Sequence, residues 1–540
     1  MRRLSTPTLL LALAFAVPAT AQTSTPPRSA AQEQAQVFVS ALQAISQLHQ
    51  NATPDSTLWA QALDGLIASL DDPYAAVFTP TEVAVFEEEN TGDYAGIGIQ
   101  ITGLNDVVTV TGVFRGTPAE AVGMQVGDVI VGVDTDDASD WDSDQISNRV
   151  RGTPGTEVTV VVTRDGYEQP LTFPITRATV HVPAVEAARL ENGLMYVVMD
   201  RVARNAAREL DEVIRANSDA PGFIIDLRQN PGGFLDESLM MADLFLEPGQ
   251  KLASTRSRAA GQPDGVDEES WDAQMLARIP DTPIVVLVDE FTASAAEILA
   301  GALQDYDRAL VVGQRSFGKG LVQTVLELPY GRRLRLTTGS WYTPLGRSLH
   351  RSRDREGRPL PENVDSLPTL FTDGGRELVA AGGIFPDLEV PNDTLTLKER
   401  ELLIYSAENG IPLPLRLAEF GFAEAIALGE AGLEPQLREA QFTEFIEQLR
   451  TEGVPSELLD DSGVRGYIGW RASINVADRM DRIGVMAKFR MARDPALAEA
   501  VALLEIAHTQ PELFAAAGAE TGRTTMSALA ARNGEGAGSN

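Results

Sequence analysis

Two short apolar segments constrain the fold most strongly. Residues 222–227 and 283–288 each form a run suited to a strand buried on both faces, and a helical pattern follows each run. Strands of this kind build the parallel sheets of α/β proteins. Within residues 177–390 strand and helix patterns alternate, which predicts βα units around a buried parallel sheet. The polar stretches 255–275 and 351–375 are expected to be surface loops.

A second region, residues 94–176, has a different character. Residues 107–113 alternate like a half-buried strand, a turn leads into the apolar run 129–133, and a third run follows at 158–162. A short helical stretch is predicted around residues 145–150. Short strands with turns between them predict a separate β-rich domain.

Helical patterns flank these regions. Residues 31–50 carry apolar side chains near one face, and Asp55 or Ser56 can cap a second helix. These two helices either pack on the next domain or pair with another subunit. A capping box of Thr396 and Glu399 opens a helical C-terminal region.

The N-terminus has the features of an export signal. Arg2 and Arg3 precede the apolar run 9–17, which is too short to span a bilayer as a helix. The small–x–small sequence of residues 19–21 follows, which predicts a signal peptide, 1–21, cleaved after its last residue. The chain contains no cysteine, which excludes disulfides, thiolate metal sites and a cysteine nucleophile. The bacterial periplasm is the expected location.

Charge and histidine content argue against other classes of function. The formal net charge is -33, from 44 basic and 77 acidic residues, which disfavours binding to nucleic acids and anionic membranes. No histidine lies in a metal-ligand or hydrolase motif, and no metal or organic cofactor is expected. The four histidines are His49, His181, His350 and His508.

Ser294 is a candidate nucleophile. It follows the apolar run 283–288 directly before a helical pattern, so that its hydroxyl lies near free backbone N–H groups and the positive end of a helix dipole. A tetrahedral oxyanion can be stabilised at such a position. The alternative is structural, because Ser294 and Glu297 also match a capping box. Taken alone, this motif favours the cap.

Lys319 is a candidate base. It stands between Gly318 and Gly320 in apolar surroundings, where a desolvated lysine loses its proton more easily. To act near neutral pH its pKa must fall from about 10.4 by roughly 3 units, which costs about 4–5 kcal/mol. A surface lysine in a flexible loop is the alternative. A phosphate-binding loop is disfavoured, because the required spacing is absent.

Two further segments contain groups that can take part in catalysis or ligand binding. Gln323 lies about 13 Å from Lys319 if the chain between them is extended, and beside it if the chain forms a helical turn. In the helical case its amide oxygen can hold the lysine amine toward Ser294. Gly232 and Gly233 follow the run 222–227, where they allow close approach of a ligand or simply form a tight turn.

Six motifs occur in the order typical of the carboxy-terminal processing (tail-specific) serine peptidases, and the chain resembles that family over roughly residues 55–390. The motifs are residues 70–74, 226–233, 292–297, 317–323, 342–348 and 383–387. The resemblance implies an α/β fold with a crotonase/ClpP-like βα core and an inserted β-rich PDZ domain. The implied regions are the peptidase core (76–93 and 177–391) and the PDZ domain (94–176). The residue patterns themselves predict an N-terminal helical region (22–75), a C-terminal helical region (392–520) and a disordered tail (521–540), and residues 392–540 lie outside the part shared with the family.

The resemblance also assigns roles to residues. Ser294 matches the family's nucleophile, Lys319 its general base and Gln323 the residue that orients the lysine. The backbone N–H groups of Gly232 and Ala295 match the oxyanion hole, and Gly233 is an additional candidate. Asp305 matches an acidic position of structural or supportive role.

The PDZ domain implies how substrate is recognised. Gly96, Ile97, Gly98 and Ile99 match the carboxylate-binding loop, whose backbone N–H groups receive a peptide's terminal carboxylate. The expected function is a periplasmic serine endopeptidase acting on proteins with exposed C-termini, without cofactor. The terminal helices are expected to form a homo-oligomer or to dock an adaptor. The alternatives are a catalytically inactive PDZ scaffold of the cell envelope and a fold relative that acts on thioesters.

Overall fold

The computed structural model describes residues 30–104, 107–114, 116–164, 166–259, 265–354, 356–480 and 482–518. The predicted signal peptide, 1–21, and the predicted tail, 521–540, lie outside these residues. The chain divides into two compact units, Met1–Asp71 and Asp72–Asn540. Among the described helices, none combines the length and the apolar character that crossing a membrane requires.

The first unit is a pair of helices, α1 (Ala30–Leu48) and α2 (Asp55–Ala68). The rings of Phe38 and Trp59 meet edge to face, with their centroids 6.0 Å apart. Neither helix buries a side chain fully.

The expected cap of α2 is wrong. Asp55 and Ser56 lie inside the helix, and Pro54 stands at the capping position without a side-chain hydrogen bond. The extended backbone of Pro54 turns the chain into the helix. The Asp55 carboxylate instead accepts a hydrogen bond from Ser46 of α1.

The second unit opens with β1 (Ala76–Phe78), α3 (Pro80–Thr91) and β2 (Asp93–Gly96). A capping box between Thr79 and Glu82 starts α3. Gly92 ends the helix with φ +71°, a left-handed conformation that favours glycine.

The β-rich domain is present where the sequence predicts it. Its elements are β3 (Ile99–Leu104), β4 (Val107–Val113), α4 (Pro118–Ala121), β5 (Val129–Val133), β6 (Asp136–Asp137), α5 (Ser143–Val150), β7 (Glu157–Thr163) and β8 (Leu171–Thr176). The sheet order is β3-β4-β5-β7-β8, with β6 paired to β5. Inward-facing residues such as Val110, Ile146 and Val160 are fully buried. Strand β3 lies at the edge of the described sheet.

A two-stranded ribbon connects this domain to the rest of the unit. Strand β9 (Ala178–His181) pairs antiparallel with β2, and Asp93 lies opposite His181. The imidazole of His181 contacts Asp93 Oδ1 through Nδ1 and Glu209 Oε1 through Nε2, each at 2.7 Å. Both ends of the inserted domain are therefore held at one place.

The α/β core follows. Its elements are β10 (Val185–Arg189), β11 (Met195–Met199), α6 (Ala206–Ala216), β12 (Phe223–Asp226), α7 (Leu235–Asp243), β13 (Lys251–Arg258), β14 (Val266–Asp272), β15 (Ile284–Val288), α8 (Ala295–Asp305), β16 (Leu310–Gly313), β17 (Leu321–Leu328), β18 (Arg332–Tyr342), β19 (Thr369–Phe371), β20 (Glu377–Val379) and β21 (Leu388–Glu389). The central sheet has the order β10-β11-β12-β15-β16-β21 and is parallel except for the first pair. The predicted parallel sheet is confirmed.

A second sheet has the order β1-β18-β13-β14, and β17 also pairs with β18. The expectation of a loop over residues 255–275 is wrong, because β13 and most of this stretch up to Asp272 form a hairpin. Strand β14 is largely exposed, so its charged sequence does not prevent pairing. The described part of 351–375 contains the short 3₁₀ helix Val364–Ser366 and β19.

The C-terminal region is helical as expected, and the Thr396–Glu399 capping box is present. Its helices are α9 (Leu397–Glu408), α10 (Leu413–Glu430), α11 (Glu439–Thr451), α12 (Ser456–Leu459), α13 (Ser462–Arg479), α14 (Ile483–Met491), α15 (Pro495–Ile506) and α16 (Gln510–Ala517). Helices α6, α7 and α8 cover one face of the central sheet, and α15 and α16 cover the other. The C-terminal region therefore forms one layer of the core.

Candidate active site

Ser294 occupies the turn between β15 and α8. Its backbone has φ 55° and ψ −117°, a conformation that costs a non-glycine residue about 1–3 kcal/mol. Its N–H donates to Glu297 Oε2 at 2.8 Å. A Cβ atom on Gly232 would lie 2.8 Å from the Ser294 Cβ atom, so only glycine allows this close approach. The backbone of this turn is therefore strained, and it is held by the hydrogen bond to Glu297 and by close packing against Gly232.

Lys319 lies in the loop before β17. Its backbone N–H donates to Glu297 Oε2 at 2.8 Å, and its carbonyl accepts from Trp341 Nε1 at 2.9 Å. Its amine lies over the ring of Tyr74, 4.9 Å from the centroid. The ring of Tyr74 thus lies against the amine on one side.

The surroundings of Lys319 favour the neutral amine. Burial and then the nearby positive charge of Arg335 lower the pKa of Lys319 to about 8, against opposing effects of Glu297 and Asp72. About one tenth of the amine is therefore free of its proton at pH 7 and about half at pH 8. The sequence-based expectation of a desolvated lysine agrees with this geometry.

Gln323 lies on β17, so the helical-turn alternative for residues 319–323 is wrong. The strand pairing of β17 with β18 begins at Leu321 and shifts register between Val322 and Gln323. The Nε2 atom of Gln323 is buried without a hydrogen-bond partner among the described residues.

One cavity of about 970 Å³ brings the candidate residues together. Ser294, Lys319 and Gln323 all line it, as do Gly232, Gly233 and Ala295. Helix α3 also contributes to its wall, through residues such as Phe86 and Glu88. Among the described residues, no hydrogen bond joins the Ser294 hydroxyl to the Lys319 amine.

The two predicted oxyanion donors differ in their surroundings. The N–H of Gly232 donates to Asn230 Oδ1 at 2.9 Å and is therefore engaged within the protein. Ala295 is the first residue of α8, where an N–H has no acceptor inside the helix. Asn230 is buried, and its own amide donates to the Met199 carbonyl at 2.9 Å.

The candidate carboxylate loop of the β-rich domain lines a second cavity, of about 630 Å³. Gly96, Ile97, Gly98 and Ile99 line it together with Ser147, Val150 and Arg151. Arg151 pairs with Glu88 of α3 and lies 5.3 Å from the centroid of the Tyr94 ring. Glu88 and Tyr94 line both cavities, so the two cavities are adjacent.

Comparison with known proteins identifies the family. A "carboxy-terminal-processing protease" of Bartonella bacilliformis is 34% identical over 301 residues, which cover 55% of this chain and 68% of that protein. The chain belongs to peptidase family S41. The S41 family model matches residues 193–354, and the PDZ domain model matches residues 95–175.

Two other similar proteins extend the comparison. A "probable CtpA-like serine protease" of Staphylococcus aureus (strain COL) is 35% identical over 291 residues, 54% of this chain and 57% of that protein. The solved structure named "photosystem II D1 C-terminal processing protease" is 26% identical, with a TM-score of 0.33, and the match covers 58% of this chain and 90% of that one.

The S41 match encloses Ser294, Lys319 and Gln323, and also Asp305. Asp305 is buried at the C-terminal end of α8, where its carboxylate pairs with Arg347 at 2.7 Å. It also accepts the N–H of Leu345 at 2.8 Å. These contacts fasten α8 to the chain after β18.

Sequence reasoning missed several residues of this S41 site. Glu297 was interpreted only as a helix-capping residue, although it joins the Ser294 turn to the Lys319 loop. Tyr74 lies in the upstream motif 70–74, but nothing local indicates that its ring covers Lys319. Arg335 gives no sequence signal, because it reaches the site through the pairing of β18.

Proposed function

We propose that this S41 family member is a periplasmic serine endopeptidase of the carboxy-terminal processing type. Ser294 Oγ attacks the scissile carbonyl carbon while Lys319 Nζ takes the hydroxyl proton. The tetrahedral intermediate collapses to an acyl-enzyme, and the protonated lysine gives its proton to the leaving amine. Water, deprotonated by the same lysine, then releases the acyl group and regenerates Ser294.

One observation carries this proposal. A serine on a strained strand-to-helix turn and a lysine with its pKa lowered to about 8 line the same cavity. A purely structural helix cap does not require a half-buried, largely unpaired lysine beside it. The presence of both residues in one cavity therefore favours a catalytic role for Ser294 over a purely structural role as a helix cap.

Gln323 and the backbone donors have supporting roles in this proposal. The family resemblance assigns Gln323 to orienting the Lys319 amine; from strand β17 it lines the same cavity as Lys319 and Ser294, and its Nε2 is buried without a hydrogen-bond partner among the described residues. The N–H of Ala295 stabilises the oxyanion. The N–H of Gly232 joins it when substrate displaces the Asn230 acceptor.

The PDZ domain selects the substrate. The terminal carboxylate of a protein binds the backbone N–H groups of residues 96–99, and the preceding residues add a strand to the free edge of β3. Because the two cavities share Glu88 and Tyr94, a chain held in the PDZ groove can continue into the catalytic cavity. Proteins with exposed C-termini are the proposed substrates.

Export and assembly complete the proposal. Cleavage after Ala21 releases the chain into the periplasm. Helices α1 and α2 expose large apolar side chains, including Phe38, Leu48 and Leu66, and we propose that they form the contact of a homo-oligomer or an adaptor.

The test compares three purified variants with the wild type on an unfolded protein that has a free C-terminus. Ser294→Ala and Lys319→Ala are expected to lose turnover by at least a thousandfold while remaining folded by circular dichroism. Ser366→Ala, at an exposed position, is expected to match the wild type. Unchanged turnover in Ser294→Ala would refute the assignment. Peptide binding without turnover in the wild type would favour the scaffold alternative.

A further inference from the structure

Arg228 lies between two carboxylates that come from different parts of the chain. Its guanidinium donates to Asp226 at 2.9 and 2.7 Å and to Asp494 at 2.8 Å through both terminal nitrogens. The Asp494 contact is a bidentate fork, the strongest geometry for an arginine–carboxylate pair. The exposed fraction is 18% for the Arg228 side chain and 15% for that of Asp494, so solvent screens this pair only partly.

Arg228 belongs to the loop that carries Gly232. In this loop, the carbonyl of Asn230 accepts the N–H of Ala293 at 2.9 Å, directly before the nucleophile. The Asn230 side chain in turn accepts the N–H of Gly232. A displacement of this loop would therefore move the oxyanion donor and the serine turn together.

Asp494 is itself fixed by the C-terminal helices. Its carboxylate caps α15 by accepting the N–H of Leu497 at 3.0 Å. Leu497 and Leu503 are buried against the central sheet, so α15 cannot shift without opening that packing. The anchor for Arg228 is thus a rigid element.

We propose that Asp494 is a positioning residue of the catalytic centre, supplied by the C-terminal helical region. It acts through Arg228 on the loop of Gly232, and it lies outside the 193–354 segment that the S41 model matches. The inference rests on the proposed peptidase function. Removing its charge would leave Arg228 partly unpaired in a poorly hydrated place, and the loop would relax toward solvent.

The test is Asp494→Asn, which keeps the shape and the helix cap but removes the charge. We expect kcat to fall roughly ten- to hundredfold with KM nearly unchanged, because the loss concerns the geometry of the reacting groups. Asp494→Glu is expected to restore a substantial part of kcat. The matched control is Asp393→Asn, which removes a carboxylate from the neighbouring Arg493 without touching the loop.

Hydrogen exchange provides a readout that does not depend on activity. Amides of residues 227–233 are expected to exchange faster in Asp494→Asn than in the wild type or Asp393→Asn. Unchanged kcat and exchange would overturn the inference, as would a kcat that falls only in proportion to the folded fraction. If the wild type itself cleaves nothing, the proposed function fails, and the exchange rates alone decide whether Asp494 orders the loop.

Discussion

The carboxylate of Glu297 accepts a hydrogen bond from the backbone N–H of Lys319 at 2.8 Å. The same carboxylate accepts the N–H of Ser294, also at 2.8 Å, so one side chain fixes the Ser294 turn relative to the Lys319 loop. Gly318 N–H and Ser316 Oγ complete its four donors. Burial raises the pKa of Glu297 against the effect of these donors.

The first prediction concerns this junction. In Glu297→Gln an NH₂ group replaces one oxygen and faces backbone N–H donors that then lack an acceptor. We expect a loss of about 1–3 kcal/mol in unfolding free energy and a fall in kcat of at least tenfold. Urea denaturation and steady-state kinetics measure the two effects. Glu327→Gln, on the exposed part of β17, should change neither.

The second prediction is the pH dependence of cleavage. Only the neutral amine of Lys319 accepts a proton, so kcat/KM should rise with pH up to its pKa of about 8 and fall as the pH drops below it. At pH 7 about one tenth of the amine is neutral on this basis. A rate profile that is flat through this range would contradict Lys319 as the base.

The third prediction isolates the effect of Arg335. Its positive charge lowers the pKa of Lys319, so Arg335→Gln should raise that pKa and move the acidic limb of the profile to higher pH. Activity at pH 7 should fall roughly two- to tenfold and recover in alkaline buffer. Arg335→Lys keeps the charge and serves as the control. Equal profiles for the two variants would exclude the charge as the cause.

The fourth prediction concerns the PDZ groove. Peptide binding to the Ser294→Ala protein should weaken at least tenfold when the terminal carboxylate is converted to an amide, as followed by fluorescence anisotropy. Gly98→Ala should weaken binding too, because the new Cβ would lie 2.3 Å from the Thr117 Cβ. Gly123→Ala has a similar positive φ but open space around it, and it should bind normally.

The fifth prediction concerns the ribbon of β2 and β9. Burial alone would lower the pKa of His181, but hydrogen bonds to Glu209 and Asp93 outweigh it and raise the pKa. A raised pKa stabilises the fold at pH values below the unfolded pKa, and the contribution disappears as the pH rises through the folded pKa. His181→Gln should therefore cost stability, about 0.5–1 kcal/mol, at about pH 5.5 and much less at about pH 9. Thermal unfolding at both pH values measures the difference.

Local sequence patterns predicted the main strands and helices of the core because the spacing of apolar residues follows directly from which side chains are buried. The runs that became β12 and β15 are apolar on both faces, and Ser294 follows the second of them at the start of a helix. The exposed strand β14 was missed because its charged sequence, from Val266 to Asp272, carries no burial signal. Its pairing depends on β13, which the pattern alone does not specify.

The environment of Lys319 could not be derived from the sequence in the same way. The pKa of Lys319 depends on its burial and on Arg335, which approaches it only through the packing of distant strands. The amphipathic pattern of α15 indicates a buried face but not that the central sheet is its partner. Asp494 consequently has no visible role in the sequence.

The pairing of β2 with β9 gives the inserted domain adjacent points of departure and return. Exchange of this domain for a module that recognises a different chain end would therefore require two rebuilt junctions and replacements for its other contacts, such as that of Arg151 with Glu88 of α3. Target selection could then be redesigned while the hydrolytic core is left in place.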